Sequence, residues 1–289
     1  MITYRDLHTA EEIAPLRDLE ARVWHTGLDQ TVPSHMMKVV VQCGGHVQGA
    51  YDGDTLIGFS MAVPGRINGQ WQLWSHMAGV DPAYQSQGIG RQLKLNQRIW
   101  ALENGFERIS WTFMPLLRMN ANFNLYVLGA TSSAYKINYY GELKDGLNAS
   151  LPTDRLVVDW DLRAERVTAH AEGDPAPLLA DANIHFSLTQ DESGEPVVHQ
   201  PDWSSETIAA AIPYDGLDLM RSNPDLLRRW FEAARTVFSQ AFERGYVAVD
   251  FVKRDGRCWY VLQKTNHSLR STQIPSAMGR SKHPCRSGA

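Results

Sequence analysis

Residues 80–93, VDPAYQSQGIGRQL, carry the strongest constraint on how this chain folds. Residues 71–80 alternate like a strand, and Pro82 stops it. From Ile89 onward the apolar positions Ile89, Leu93, Ile99 and Leu102 repeat at helical spacing, and Gly105 is placed to end that helix. A strand must therefore pass into a helix through a short bend, with Gly88 and Gly90 at its close. Missing side chains there let backbone amides converge, and the helix dipole adds its positive end. An anion cradle and a tight turn without ligand both satisfy this geometry.

The familiar phosphate loops do not fit the bend. A P-loop needs a Lys followed by Ser or Thr closing a longer glycine-rich loop, and this segment has neither. The dinucleotide fingerprint needs G-x-G-x-x-G directly after the first strand of a parallel unit, whereas Gly88-Ile89-Gly90 follows the fourth expected strand.

Around this junction the first 145 or so residues alternate between strands and helices. A short strand is expected at 1–4, a helix at 10–23, and a second helical segment from Pro33 toward Val41. Strands at 46–51 and 56–63 flank Asp52, Gly53 and Asp54, a hairpin signal. A turn at 64–69 precedes the strand at 71–80. A strand at 108–114, a short helix at 120–128 closed by Gly129 and a strand at 133–140 follow. This order predicts an α/β unit on a mixed sheet. Farther on, the sequence predicts a strand at 154–161, a Pro- and acid-rich connector at 163–206 with one short strand near 184–188, and a helix from Asn223-Pro224 to Arg244. A hairpin over 246–262 turns at Arg254, Asp255 and Gly256. The segments 101–113 and 241–252 echo one another as helix end, Gly, aromatic and strand. They are either a degenerate second half or two independent glycine turns.

The chain of 289 residues, 43% hydrophobic and 21% charged, is long enough to bury its own core, and no apolar run reaches the roughly 20 residues of a membrane span. The first residues carry Arg5, Glu11 and Glu12 where a signal peptide needs an unbroken apolar segment, so a cytoplasmic location is expected and a membrane partner is not. Cys43, Cys258 and Cys285 are too scattered for a disulfide framework or a thiolate zinc site, and no metal is expected. A net charge of -4 argues against nucleic acid as a partner.

Gln85-Ser86-Gln87-Gly88-Ile89-Gly90 resembles the Q/R-x-x-G-x-G/A pyrophosphate loop of the GNAT superfamily of N-acetyltransferases, and the flanking V-D-P-x-Y and helix match it as well. The resemblance covers residues 1 to about 145. It implies a mixed, mostly antiparallel sheet flanked by helices, and direct attack of an amine on an acyl-CoA thioester. It places Gly79 and Val80 beside pantetheine, and Gln85, Gln87, Gly88, Ile89, Gly90 and Arg91 at the phosphates. The second motif of the superfamily puts a Tyr four residues before a Gly to protonate the departing thiolate. Here Gly129 is clear, but the residue four before it is Leu125, and Tyr126 stands one position late. Tyr126, an ordered water, Tyr135 and Tyr139 remain as alternatives for the acid. Asn120 and Asn124 share a helix face, to bond the cofactor or to cap the helix.

An acceptor ammonium must lose a proton before it attacks. His76, four residues before Val80, is the expected base, with a hydrogen-bonded surface histidine as the competing reading; Asp81 is a weaker candidate. Arg66 and Arg118 lie in loops from which a guanidinium could bind a carboxylate on the acceptor or donor. The whole chain is also similar to long bacterial members of the superfamily, some associated with N-succinylamino acid racemases, which implies acetyl-CoA or succinyl-CoA as donor and an amino acid as acceptor. The expected organisation is therefore a GNAT-like domain at 1–150, a connector strand with a C-terminal α+β domain at 151–264, and a mobile tail at 265–289. The C-terminal domain is expected to cover the acceptor side or to form a homodimer surface.

Overall fold

The computed structural model describes residues 1–141, 151–174 and 184–265. Strand β1 (Ile2–Asp6) is followed by α1 (Ala10–Ile13), α2 (Leu16–Trp24) and α3 (Ser34–Gln42). Thr9 and Glu12 form a capping box at the start of α1. The single helix expected over 10–23 is broken at Pro15, which has no N–H to continue the ladder and instead opens α2.

Strands β2 (His46–Asp52), β3 (Thr55–Ile67) and β4 (Gln70–Val80) form an antiparallel meander. The expected turn at 64–69 is corrected here: β3 continues through Pro64, and only Asn68 and Gly69, both at positive φ, make the turn. Pro64 is tolerated because the last β2–β3 rung is His46↔Ala62, so this part of β3 has an open edge on that side. Helix α4 (Ile89–Glu103) leads to β5 (Arg108–Phe113), a short α5 (Arg118–Ala121), a wide π turn (Asn122–Val127), β6 (Thr131–Lys136) and β7 (Arg155–Asp161).

The remaining elements are α6 (Glu165–Glu172), β8 (His185–Gln190), β9 (Pro196–Val198), β10 (Thr207–Ile212), α7 (Gly216–Ser222), α8 (Pro224–Glu243), β11 (Tyr246–Arg254) and β12 (Arg257–Lys264). Helix α6 lies in what the sequence suggested was connector. The strands join into one twelve-stranded sheet of order β1-β2-β3-β4-β5-β7-β6-β11-β12-β10-β8-β9. Its ladders are antiparallel except β4–β5 and β8–β10. The result is a mixed α/β fold with a large, mostly antiparallel sheet and a C-terminal α+β extension.

Strand β7 lies between β5 and β6, so the first half of the sheet is completed by a strand beyond residue 150. The expected boundary itself falls in 142–150, outside the described residues, as does the tail from residue 266 and with it Cys285. The two halves join where Ala248 of β11 faces Ser132 of β6. One apolar cluster spans that seam, running from Ile109 and Trp160 to Trp230, Phe238 and Tyr260.

The echo between 101–113 and 241–252 is local. Gly105 and Gly245 both adopt positive φ after a helix. Strand β5 then pairs parallel with β4, whereas β11 is separated from β10 by β12 and pairs antiparallel with it. A shared backbone need for glycine explains that local echo, but the sheet does repeat at another register: β8-β10-β12-β11, with β8–β10 parallel and the other two ladders antiparallel, has the order and senses of β4-β5-β7-β6, as a degenerate second half would.

Candidate functional site

The parallel ladder between β4 and β5 has only two rungs, Leu73↔Ile109 and Trp74↔Ser110. Beyond Trp74 the strands part, and Ser75 and residues 77–80 keep their β3 partners but have none on the β5 side. The resulting wedge exposes one strand edge, whose backbone groups an extended polar chain can pair with. His76 sits on this edge as a bulge: Met61 faces Met77 and Ala62 faces Ser75, leaving His76 opposite no residue of β3. Its ring is solvent-accessible and makes no side-chain hydrogen bond to a described residue. Surrounding protein displaces enough water to hold its pKa below the ordinary histidine value.

At the far end of the edge, Asp81 leaves the strand. Its Oδ1 accepts from the Ala83 N–H at 3.1 Å and its Oδ2 from Arg22 Nε at 3.1 Å, so the carboxylate organises the turn and is committed there. Gln85 Nε2 donates to Val80 O at 3.2 Å and folds the loop back on the strand. Ser86 and Gly88 both take positive φ. Gly88 caps α4 without a side-chain hydrogen bond, leaving the first-turn amides open. An added Cβ at Gly90 would lie 3.8 Å from Val80 and 4.0 Å from Phe123. Gln87 is exposed and Ile89 is buried against Ala50, Ile57 and Leu93. Gly79 lies under α2, where a Cβ would come within 3.0 Å of Val23.

The arginines are placed differently from the sequence reading. Arg91 donates to the carbonyls of His170 at 2.8 Å and Ala171 at 3.2 Å, closing the last turn of α6. Its side chain is committed to that helix end, while its backbone N–H remains in the open first turn of α4. Arg118 donates to the carbonyl of Tyr214 and, at 3.3 Å, to Asp215 Oδ1, and lies over the Tyr214 ring. It ties the turn after β5 to the C-terminal extension. Arg66 donates to Gly69 O and faces Trp71, about 30 Å of strand from Val80 at roughly 3.3 Å per residue.

The second motif region is also distinctive. Leu125 is fully buried in the core, so the position expected to carry the acid carries packing instead. Tyr126 is half-buried and meets the His170 ring edge-on at 6.4 Å. The π turn over residues 122–127 takes in an extra residue relative to an α-helix, so side chains along it do not follow α spacing. Asn124 accepts from Trp111 Nε1 at 3.1 Å and fastens the π turn to β5, while Asn120 is exposed. Tyr135 is bonded to the buried Asp154, and Tyr139 stacks with Trp74 at 6.5 Å.

Lys94 is a site feature the sequence reading passed over. Its ammonium donates to Ser75 Oγ at 2.9 Å and Gln97 Oε1 at 2.8 Å, and lies 3.8 Å from the Trp111 ring centre. Ser75 and Trp111 are the first residues past the last β4–β5 rung, so Lys94 stands at the vertex of the wedge. Burial without a carboxylate partner pushes its pKa down to about 7. Gln97 and Gln48 both bond Ser60, extending a buried polar chain below the sheet. The available signal was a Lys and a Gln on the otherwise apolar stripe of α4 formed by Leu93, Ala101 and their neighbours.

Residues 9–123 match the acetyltransferase (GNAT) family. The matched span holds the wedge, the 85–91 loop and α4. Among solved structures, the chain is similar to the ribosomal-protein-S18-alanine N-acetyltransferase of Escherichia coli, at 17% identity over 56% of this chain and 94% of that one, with a TM-score of 0.46. An N-acetyltransferase from Staphylococcus aureus Mu50 shares 18% identity over 56% of this chain and 98% of that one, at 0.44. A GNAT family acetyltransferase from Elizabethkingia anophelis with acetyl-CoA bound shares 16% over 55% and 97%, at 0.38. No curated protein matches the chain. The family match over residues 9–123 supports acyl-CoA-dependent chemistry in general terms. Among the described residues no cluster of three or more His, Cys, Asp or Glu could hold a metal ion, and no helix is long and apolar enough to cross a membrane.

Proposed function

We propose that this protein is a CoA-dependent N-acyltransferase that moves an acetyl or succinyl group from the CoA thioester to the amine of a small acceptor such as an amino acid. The observation that carries this reading is the continuity of the wedge with the open start of α4: the unpaired edge of residues 75–80 runs directly into the loop whose first-turn amides are free. Backbone donors at Gly88, Ile89, Gly90 and Arg91 suit the pyrophosphate, with Gln85 and Gln87 beside them, and the Gly79–Val80 end of the edge suits the pantetheine amides. Asn120, exposed on α5, is left to bond the cofactor, while Asn124 is held by Trp111.

Attack forms the new C–N bond and breaks the C–S bond in one ternary complex. His76 takes the proton from the acceptor ammonium at a ring nitrogen, either directly or through water; its lowered pKa keeps the imidazole neutral and receptive near pH 7. The departing thiolate receives a proton from Tyr126 or from water. Arg66 and Arg118, the arginines first expected to bind carboxylates, are engaged by protein carbonyls. Selection between acetyl and succinyl donors is therefore assigned to the wedge vertex, beside Lys94. The association with racemases rests on the sequence resemblance alone.

Leu125 at the usual acid position favours a second reading, an acyl-CoA-binding protein without turnover. Release of free CoA, followed across D- and L-amino acids with acetyl-CoA and succinyl-CoA, separates the two. Amine-dependent release establishes the transferase. Tight binding of either donor without release for any amine establishes the binding protein.

A further inference from the structure

We propose that the C-terminal extension holds a second ligand site, for a small aromatic carboxylate, in the cavity of about 660 Å³ bordered by β8, β10 and the β11–β12 hairpin. That volume lies within the range of small-molecule pockets. The nearest strands of the wedge and this cavity, β5 and β11, are three steps apart in the sheet, about 14 Å at roughly 4.8 Å per strand, so one small ligand cannot fill both.

Arg254 and Arg257 face each other directly across the turn made by Asp255 and Gly256, both at positive φ. Residues opposite one another on an antiparallel pair project to the same face, and like charges so placed repel. Neither guanidinium has an ion-pair or hydrogen-bond partner among the described residues. Both line the cavity, so an anion held between them would relieve the repulsion and use two forked donors at once.

The adjoining wall is aromatic. Phe186 and Trp259 meet edge-on at 5.7 Å, and Phe186 remains partly exposed to the cavity. Trp259 Nε1 is buried and has no acceptor, which an oxygen-bearing ligand could supply. Ala211 lies opposite Trp259 on β10 and leaves room above the indole. Asp191 also borders the space, but its Oδ1 already accepts from Ser193 N, Ser193 Oγ and Glu195 N within its own turn. Asp255, on the turn between the two arginines, also lines the space and leaves one net positive charge on that turn. A carboxylate carried on an aromatic ring meets that charge, the indole N–H and the ring edge.

The test is calorimetry of the full chain with 3-phenylpropionate as probe and 3-phenylpropanol as the uncharged control, at low salt. Saturable binding of the acid is expected, at least tenfold tighter than the alcohol. Arg254→Ala or Arg257→Ala should weaken it at least tenfold, and the double variant should abolish it, while the melting temperature without ligand stays level or rises as the repulsion is removed. Trp259→Phe keeps the ring and should weaken binding severalfold. Absence of saturable binding at millimolar acid, or equal affinity in the double arginine variant, would overturn the proposal. Binding of CoA, measured on the same samples, should be unchanged in every variant, so the outcome is independent of the transferase reading.

Discussion

Lys94 holds its ammonium 3.8 Å from the centre of the Trp111 ring, at the point where β4 and β5 cease to pair. Buried lysines without a carboxylate partner are costly, and the cost here is concentrated where acyl transfer is proposed to occur.

Stability should therefore depend on pH through this residue. The folded-state pKa is pushed down to about 7 from an ordinary value of 10.5, so between those values the unfolded chain holds a proton that the folded one lacks. Raising the pH across that window favours folding. Lys94→Met should remove this slope and, below pH 7, match or exceed the stability of the unmodified protein, by up to roughly 1–4 kcal/mol. Urea midpoints at pH 6.5 and pH 9 measure it; identical slopes in the two proteins would refute the assignment.

At the loop, Gly88→Val and Gly90→Ala should behave differently. Gly88 has φ +80, where a branched side chain is strained whatever the space and would shift the backbone that aims the open amides. An added Cβ at Gly90 makes only ordinary contacts at 3.8 and 4.0 Å. Affinity for CoA by calorimetry should fall tenfold or more in Gly88→Val and less than threefold in Gly90→Ala. The reverse order would move the anion site elsewhere.

His76→Ala should lower turnover most at near-neutral pH and recover in part as the pH approaches the acceptor amine's own pKa. Protonation of His76 in the unmodified enzyme should produce an acidic limb lying below the ordinary histidine range, because desolvation lowers its pKa. Parallel profiles for the two enzymes would make His76 structural. A Tyr126→Phe variant assayed alongside tests the shifted tyrosine, whose removal should lower turnover if it protonates the departing thiolate.

Arg118→Ala should cost about 1–2 kcal/mol of stability, since it removes a charged donor from Tyr214 O and Asp215. Thermal unfolding reads this directly. Unchanged stability together with a raised KM for carboxylated acceptors would instead return Arg118 to substrate binding.

Much of the first half was legible because its signals are local. The strand-to-helix junction at 80–93, the Asn223-Pro224 helix start and the Asp255-Gly256 turn each depend on neighbouring residues whose conformational preferences do not wait for the rest of the fold. The bend at Gly88 was legible for the same reason. The roles of Arg91 and Arg118 were not, because a guanidinium on a long side chain takes whichever carbonyl the tertiary fold brings near, here those of His170, Ala171 and Tyr214.

The sequence alone determined the alternation of elements, the glycine-closed bend and the burial of the large apolar residues, all consequences of local sterics and hydrophobic periodicity. Only the tertiary structure decided that β7 would slide between β5 and β6, that β4 and β5 would part after two rungs, and that Lys94 would be trapped at their vertex. Those outcomes rest on pairings between segments distant in sequence, where the competing arrangements differ in long-range packing and backbone satisfaction rather than in any preference a short stretch of chain can express.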